Sequence, residues 1–261
     1  MEYRLGIVLS GGGSRGLAHI GVLAALAERG IVPDCLAGAS AGAIVGALAA
    51  AGYDRDEMVR FFEEANPFKL SKFALGKPGL IDSSKVVEEF RKWFPDDSFA
   101  ALGRRLFVTA TDLDTGRGDV FSSGELILPL LASCSVPPVF SPTMIDDRRY
   151  ADGGIVDNFP VEPLVGLCDL LIGVYATPLR ALDSRGLTTA LAVSQRALEI
   201  GMYHASKRKF HQVALLISPY ELNRYSTFDT RRHPEIVEIG YRAAVECLDD
   251  IEALVASIPG R

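Results

Sequence analysis

The sequence predicts an α/β fold built on a mainly parallel sheet with helices on both faces. Three observations predict it. Apolar runs of strand length alternate with helix-period segments along the 261 residues. Glycine-rich turns follow the first two runs, and each opens a helix. No linker, repeat or low-complexity segment divides the chain, so one domain over 1–261 is expected, with most of its apolar surface buried.

The elements follow in order. Residues 5–9 are an apolar run of strand length, and 15–29 place Leu17, Ile20, Leu23 and Leu26 at three-residue spacing, as a helix requires. Residues 32–39 read as a second strand and 41–51 as an Ala-rich helix. Amphipathic helices are expected at 55–65 and 84–94, and strands at 105–111 and 119–122. Two more buried strands, 170–176 and 213–218, flank a helical region around 188–210. A single last helix keeps Ile236, Gly240, Ala243, Cys247, Ile251 and Leu254 on one face, with Pro234 in its first turn.

Composition removes several functions. The chain is 48% hydrophobic with a mean hydropathy of +0.19, and two stretches, 35–53 and 126–145, carry no Asp, Glu, Lys, Arg or His. Both reach membrane-spanning length. The first is mostly Ala and Gly between Asp34 and Asp54, without flanking basic bias, although Gly38, Gly42 and Gly46 match a small-residue pairing face. The second holds four prolines. A net charge of −6 speaks against nucleic acid as a partner. Cys35, Cys134, Cys168 and Cys247 lack CxxC spacing, so neither a metal site nor a disulfide framework is expected. They read as buried thiols in a reducing cytoplasm. The first residues show no signal peptide.

Two turns carry the chemistry. Gly11, Gly12 and Gly13, followed by Arg15 and Gly16, match GxGxxG after the first strand. A dinucleotide site would need an acid at the end of the second strand, and Asp34 stands at its beginning. What remains is a nest of backbone N–H groups at a helix N-terminus, suited to a phosphate or an oxyanion. The second turn, Gly38-Ala39-Ser40-Ala41-Gly42, is GxSxG at a strand-to-helix junction, the context of a nucleophile elbow. It also accounts for the first uncharged stretch.

The serine needs a proton acceptor. Asp152, followed by Gly153 and Gly154, is one candidate, although an ordinary Asp-Gly turn fits the same residues. His233 is another, giving the order Ser, Asp, His. His19, His204 and His211 are placed less favourably. Arg15 is read equally as a charge near the glycine loop and as a structural ion pair.

GGGSRGLAHIGVL, GASAG and DGG, in this order and spacing, resemble the patatin-like phospholipase family, close to its small bacterial, neuropathy-target-esterase-related members. The resemblance runs over about 5–164, including Ser133-Cys134-Ser135-Val136-Pro137 and Asn158-Phe159-Pro160-Val161, and is loose over 165–261. It implies a three-layer α/β/α fold whose sheet the later residues complete. It implies a Ser40–Asp152 dyad, an oxyanion hole of Gly11, Gly12 and Gly13 amides, and lipid acyl-ester hydrolysis with no cofactor or metal. Plant members usually carry Asp before the glycine run; Ser10 here is expected to be harmless. The dyad needs a desolvated Asp152, because an ordinary aspartate, with pKa about 3.9, is a poor base.

Phospholipid or lysophospholipid is the expected substrate, with transient contact at a membrane surface. Residues 66–80 mix Phe68, Leu70, Phe73 and Leu75 with Lys69, Lys72 and Lys77, as a lid or a core-packed loop would. The alternatives are a Ser40–Asp152–His233 triad esterase, a nucleotide-binding oxidoreductase and a non-catalytic lipid-binding regulator. Head group, acyl length and oligomeric state are not encoded in any motif.

Overall fold

The computed structural model describes residues 1–64, 83–137, 139–181, 187–227, 229 and 231–258. Residues 66–80, read as either a lid or a core-packed loop, lie outside them. Eight strands form one sheet: β1 (Tyr3–Leu9), β2 (Cys35–Ala39), β3 (Arg105–Asp112), β4 (Arg117–Phe121), β5 (Thr143–Ile145), β6 (Arg148–Asp152), β7 (Cys168–Val174) and β8 (Leu215–Ile217). Strands β3, β2, β1, β7 and β8 are parallel neighbours in that order, and β4 and β6 run antiparallel to β3. The sheet is mainly parallel, as expected. The apolar runs are nearly continuous because each central strand is covered on both faces.

Two apolar cores make the layers. Alternate residues Leu5, Ile7 and Leu9 of β1 enter one core with α1 (Ala18–Glu28), α2 (Ala41–Ala51) and α8 (His233–Val245). Val8 enters the other with Phe159, Leu164 and Tyr175, against which Tyr203 of α7 (Ala190–Lys207) packs. Period-two alternation along β1 thus divides the molecule into an α/β/α sandwich. Helices α3 (Arg55–Glu64), α4 (Ser83–Trp93), α5 (Ile127–Ser133), α6 (Gly154–Asp157) and α9 (Leu248–Ala256) complete the set among the described residues.

The register of β3 brings two chain ends together. Residues 108–109 pair with both β2 and β4, and 110–112 with both β4 and β6. A strand has two flanks, so β2 and β6 share the one opposite β4. On that flank β2 ends at Ala39↔Thr109, and the next position is taken by Ala110↔Asp152 of β6. The ends of β2 and β6 meet head to head.

Three expectations change. The first helix begins as a tight 3-10 turn, Gly13–Leu17, before α1. The last helix is two, α8 and α9, parted at Glu246-Cys247. Asp249 and Asp250 then occupy the first turn of α9, where a helix N-terminus favours negative charge. The stretch 126–145 is more than a proline-broken passage. It contains α5, which tolerates Pro129 in its first turn, and β5. The other uncharged stretch is β2 and α2, and no helix among the described residues is long and apolar enough to cross a membrane.

Candidate active site

The glycine loop is held from three sides. The Ser10 hydroxyl accepts the Ala176 N–H at 2.8 Å and donates to the Gly11 carbonyl at 3.0 Å. His19 Nε2 lies 2.8 Å from the Ser10 carbonyl. Burial pulls the His19 pKa down to about 4, so the neutral ring donates there. Gly13 has φ +57, and a side chain at it would strike the Thr227 carbonyl at 2.2 Å. The three glycines are not equivalent. The Gly11 N–H is given to the Asn158 carbonyl at 3.2 Å, whereas Gly12 and Gly13 line the cavity described below. Gly16 passes against Ala41, where α2 begins. Asp34 accepts the N–H groups of Arg4 and Leu5 at the amino ends of the strands, far along the sheet from this loop. The acid a dinucleotide needs is therefore engaged elsewhere.

Ser40 joins β2 to α2 with φ 53 and ψ −127, a backbone conformation rare for a side-chain-bearing residue. Such strain persists only where the surroundings enforce it. Gly42 packs so closely on β1 that a Cβ would lie 2.2 Å from the Leu9 carbonyl. Gly38, in β2, faces the same turn at Gly42 and Ala43. The Ser40 N–H donates to Ser133 Oγ at 2.8 Å, and that hydroxyl donates to the Thr109 carbonyl at 2.7 Å. Ser133 thereby continues the β2–β3 ladder one step past the last paired residues.

Asp152 ends β6 across the gap. Its N–H goes to the Ser135 carbonyl at 2.9 Å, and its carbonyl accepts the Thr111 hydroxyl at 2.8 Å. The Gly153 N–H reaches the Ser133 carbonyl at 3.2 Å. The carboxylate Oδ1 accepts the Gly154 N–H at 2.8 Å, and Oδ2 has no partner of ordinary hydrogen-bond geometry. Burial pushes the Asp152 pKa up to about 6, against the opposing pull of the nearby Ser40 hydroxyl and the Gly154 N–H. Cys134 stays a neutral thiol beside them, raised by burial and by the Asp152 charge.

Ser133 and Ser135 are positioning residues to which no role had been given. Their signal is two hydroxyls within the otherwise apolar run 126–140.

Ser40, Asp152, Gly12 and Gly13 line one cavity of about 410 Å³. Val136, Ile155 and Met202 supply apolar wall. Arg15 also lines it, and its side chain is only 8% exposed. Its Nη2 donates to Glu199 and to Thr227 Oγ1, both at 2.9 Å, so here it is a structural ion pair at the cavity wall. No histidine is among the lining residues; His233 is buried at the start of α8.

Comparison with known proteins places the chain in a family. Residues 7–165 match the patatin-like phospholipase family. An uncharacterised NTE family protein of Mycobacterium tuberculosis is 35% identical over 175 residues, 66% of this chain and 48% of the relative. The lysophospholipase nte1 of Aspergillus fumigatus is 32% identical over 181 residues, 65% of this chain and 12% of that protein. The chain thus spans about half of the mycobacterial relative and a small part of the fungal one. In fold it is similar to VipD from Legionella pneumophila, with a TM-score of 0.58 at 18% identity, covering 96% of this chain and 67% of VipD.

Proposed function

The chain belongs to the patatin-like phospholipase family, and from that premise we propose that it is a lipid acyl hydrolase working through a Ser40–Asp152 dyad. One observation carries the reading. A serine in a strained turn and a buried aspartate with pKa about 6 stand where the ends of β2 and β6 meet beside β3, and line the same cavity. Asp152 takes the Ser40 proton as Oγ attacks the acyl carbonyl. The Gly12 and Gly13 N–H groups face the developing oxyanion, Gly11 serving to anchor the loop. Asp152 returns the proton to the leaving alkoxide. Water then gives a proton to Asp152 as it attacks the acyl carbonyl; the Ser40 Oγ–acyl bond breaks, Asp152 returns that proton to Ser40 Oγ, and the fatty acid is released.

Phospholipid and lysophospholipid are the proposed substrates, in keeping with the family and with the apolar cavity walls. One domain, β7 and β8 extending the motif-bearing sheet, is the unit proposed to act, in the cytoplasm. The absence of histidine from the cavity lining favours the dyad over the triad. The test is a lipid-panel assay on wild type and Ser40→Ala, with fluorophosphonate labelling of both. The expected outcome is fatty-acid release and labelling in wild type and neither in the variant. Labelling that survives Ser40→Ala would overturn the assignment. His233→Ala should keep near-normal turnover.

A further inference from the structure

Helix α7 has two faces of different chemistry. Its inner side lines the cavity through Gln195, Arg196, Glu199 and Met202. Between Ala190 and Ser206 the only Asp, Glu, Lys or Arg side chains are Arg196 and Glu199, and they bond to each other at 3.4 Å. The outer side shows solvent Val193 (49% exposed) and Ile200 (40%), with exposed Ala197 and Gly201 between and beside them. Leu187 and Leu198, both cavity-lining, are also exposed. Large apolar side chains held in water, with no covering element among the described residues, mark a contact surface.

The exposed charges at the two ends of this face are basic, and the carboxylates Asp157 and Glu162 near its carboxyl end are paired with Lys209. Arg180 is exposed and lines the cavity. Exposed Lys207 and Arg208 follow at the carboxyl end of α7. The carboxylate on the helix, Glu199, is held by Arg15 and Arg196. In a chain of net charge −6, this basic border is a local departure. We propose that the outer face of α7 docks on an anionic lipid bilayer, with Val193 and Ile200 entering the interface and Lys207 and Arg208 meeting lipid phosphates. An apolar helix face bordered by cations is the pattern that lies in a bilayer surface. Docked this way, the helix that walls the cavity brings its mouth to the membrane, so an acyl chain can pass from one apolar phase to the other. The inference rests on the lipid-hydrolase reading above for its purpose, though not for its measurement.

The experiment is flotation of the full chain with phosphatidylcholine vesicles, with and without phosphatidylglycerol, beside hydrolysis of a soluble short-chain ester. Val193→Glu with Ile200→Glu should lower vesicle binding at least ~tenfold and leave soluble-ester turnover unchanged. Lys207→Glu with Arg208→Glu should lose about tenfold on phosphatidylglycerol vesicles and little on phosphatidylcholine alone. Ile200→Trp should bind more tightly, a gain that misfolding cannot produce. Wild-type flotation of the double glutamate variant would overturn the proposal. So would failure of wild type to float, or a dimer that the same variant dissociates with vesicle binding intact. Ser40→Ala separates the two readings: it should float like wild type, and vesicle binding without any hydrolysis in wild type would sink the catalytic reading alone.

Discussion

The meeting point of β2 and β6 and the inner face of α7 line the same cavity and are built on opposite terms. At the strand ends the Ser40 and Asp152 main chains are tied down, and the strain sits at Ser40. At α7 the contacts are long side chains sharing a partly exposed carboxylate, with Arg196 and Arg15 both on Glu199. The difference teaches a division of labour. A reaction needs donors and acceptors fixed to within a fraction of an ångström, which strand ends and bridging hydroxyls provide. Admitting a flexible lipid needs a wall that can adjust. Substitutions at the first region should therefore change kcat, and those at the second KM.

Asp152→Asn tests the first half most severely. Turnover should fall roughly a thousandfold or more, since the amide cannot accept the Ser40 proton. Stability should move the other way. The native pKa, about 6, stands above the usual 3.8 because burial disfavours the charged form. The native state is thus favoured while Asp152 is protonated, and loses that advantage as pH rises from about 4 through about 6. The variant avoids this loss. Its Tm should exceed that of wild type by an amount that grows over that interval and is level above it, corresponding to roughly 3 kcal/mol. Wild-type kcat should in turn decline about tenfold per pH unit below about 6. Equal melting curves for the two proteins at pH 8 would mean that Asp152 is not buried as a charge.

Ser133→Ala sharpens the comparison at the next magnitude. Its hydroxyl accepts the Ser40 N–H and donates to Thr109, so truncation strands two buried backbone groups. The expected stability cost is about 1–3 kcal/mol. Without that bridge the elbow relaxes, and kcat should drop about tenfold to a hundredfold with KM little changed. Ser133→Thr, which keeps the hydroxyl, should restore part of the rate. A purely structural role would lower the amount of folded protein and leave kcat per folded molecule intact.

Much of the first region was legible in the sequence. Strand-to-helix junctions impose small residues at fixed offsets, so Gly38, Ser40 and Gly42 announce their own geometry. The loop before α1 does the same. Ser133 was less visible, because its role depends on which flank of β3 the ends of β2 and β6 share, a long-range fact of register. The division of Gly11 from Gly12 and Gly13 was hidden too, since it turns on a carbonyl of Asn158 that lies far along the chain. The break between α8 and α9 escaped because the apolar spacing continues across it. The α7 wall was least readable. An amphipathic period marks a helix, and no local pattern says which side closes a cavity.

Glu199→Gln is the smallest expected effect and the most direct probe of that wall. The carboxylate is one-third exposed and paired with Arg15 and Arg196. Gln keeps the shape and an acceptor oxygen, so stability should change by no more than about 0.5 kcal/mol, as for other accessible ion pairs. Removing its charge leaves the cavity wall more positive. KM for a phosphate-bearing ester should fall a few-fold at low salt, and the gain should fade as added salt screens the arginines. A neutral short-chain ester should show no such change, and kcat should hold for both. A hundredfold loss of kcat would place α7 within the chemistry and erase the distinction between a fixed centre and an adjustable wall.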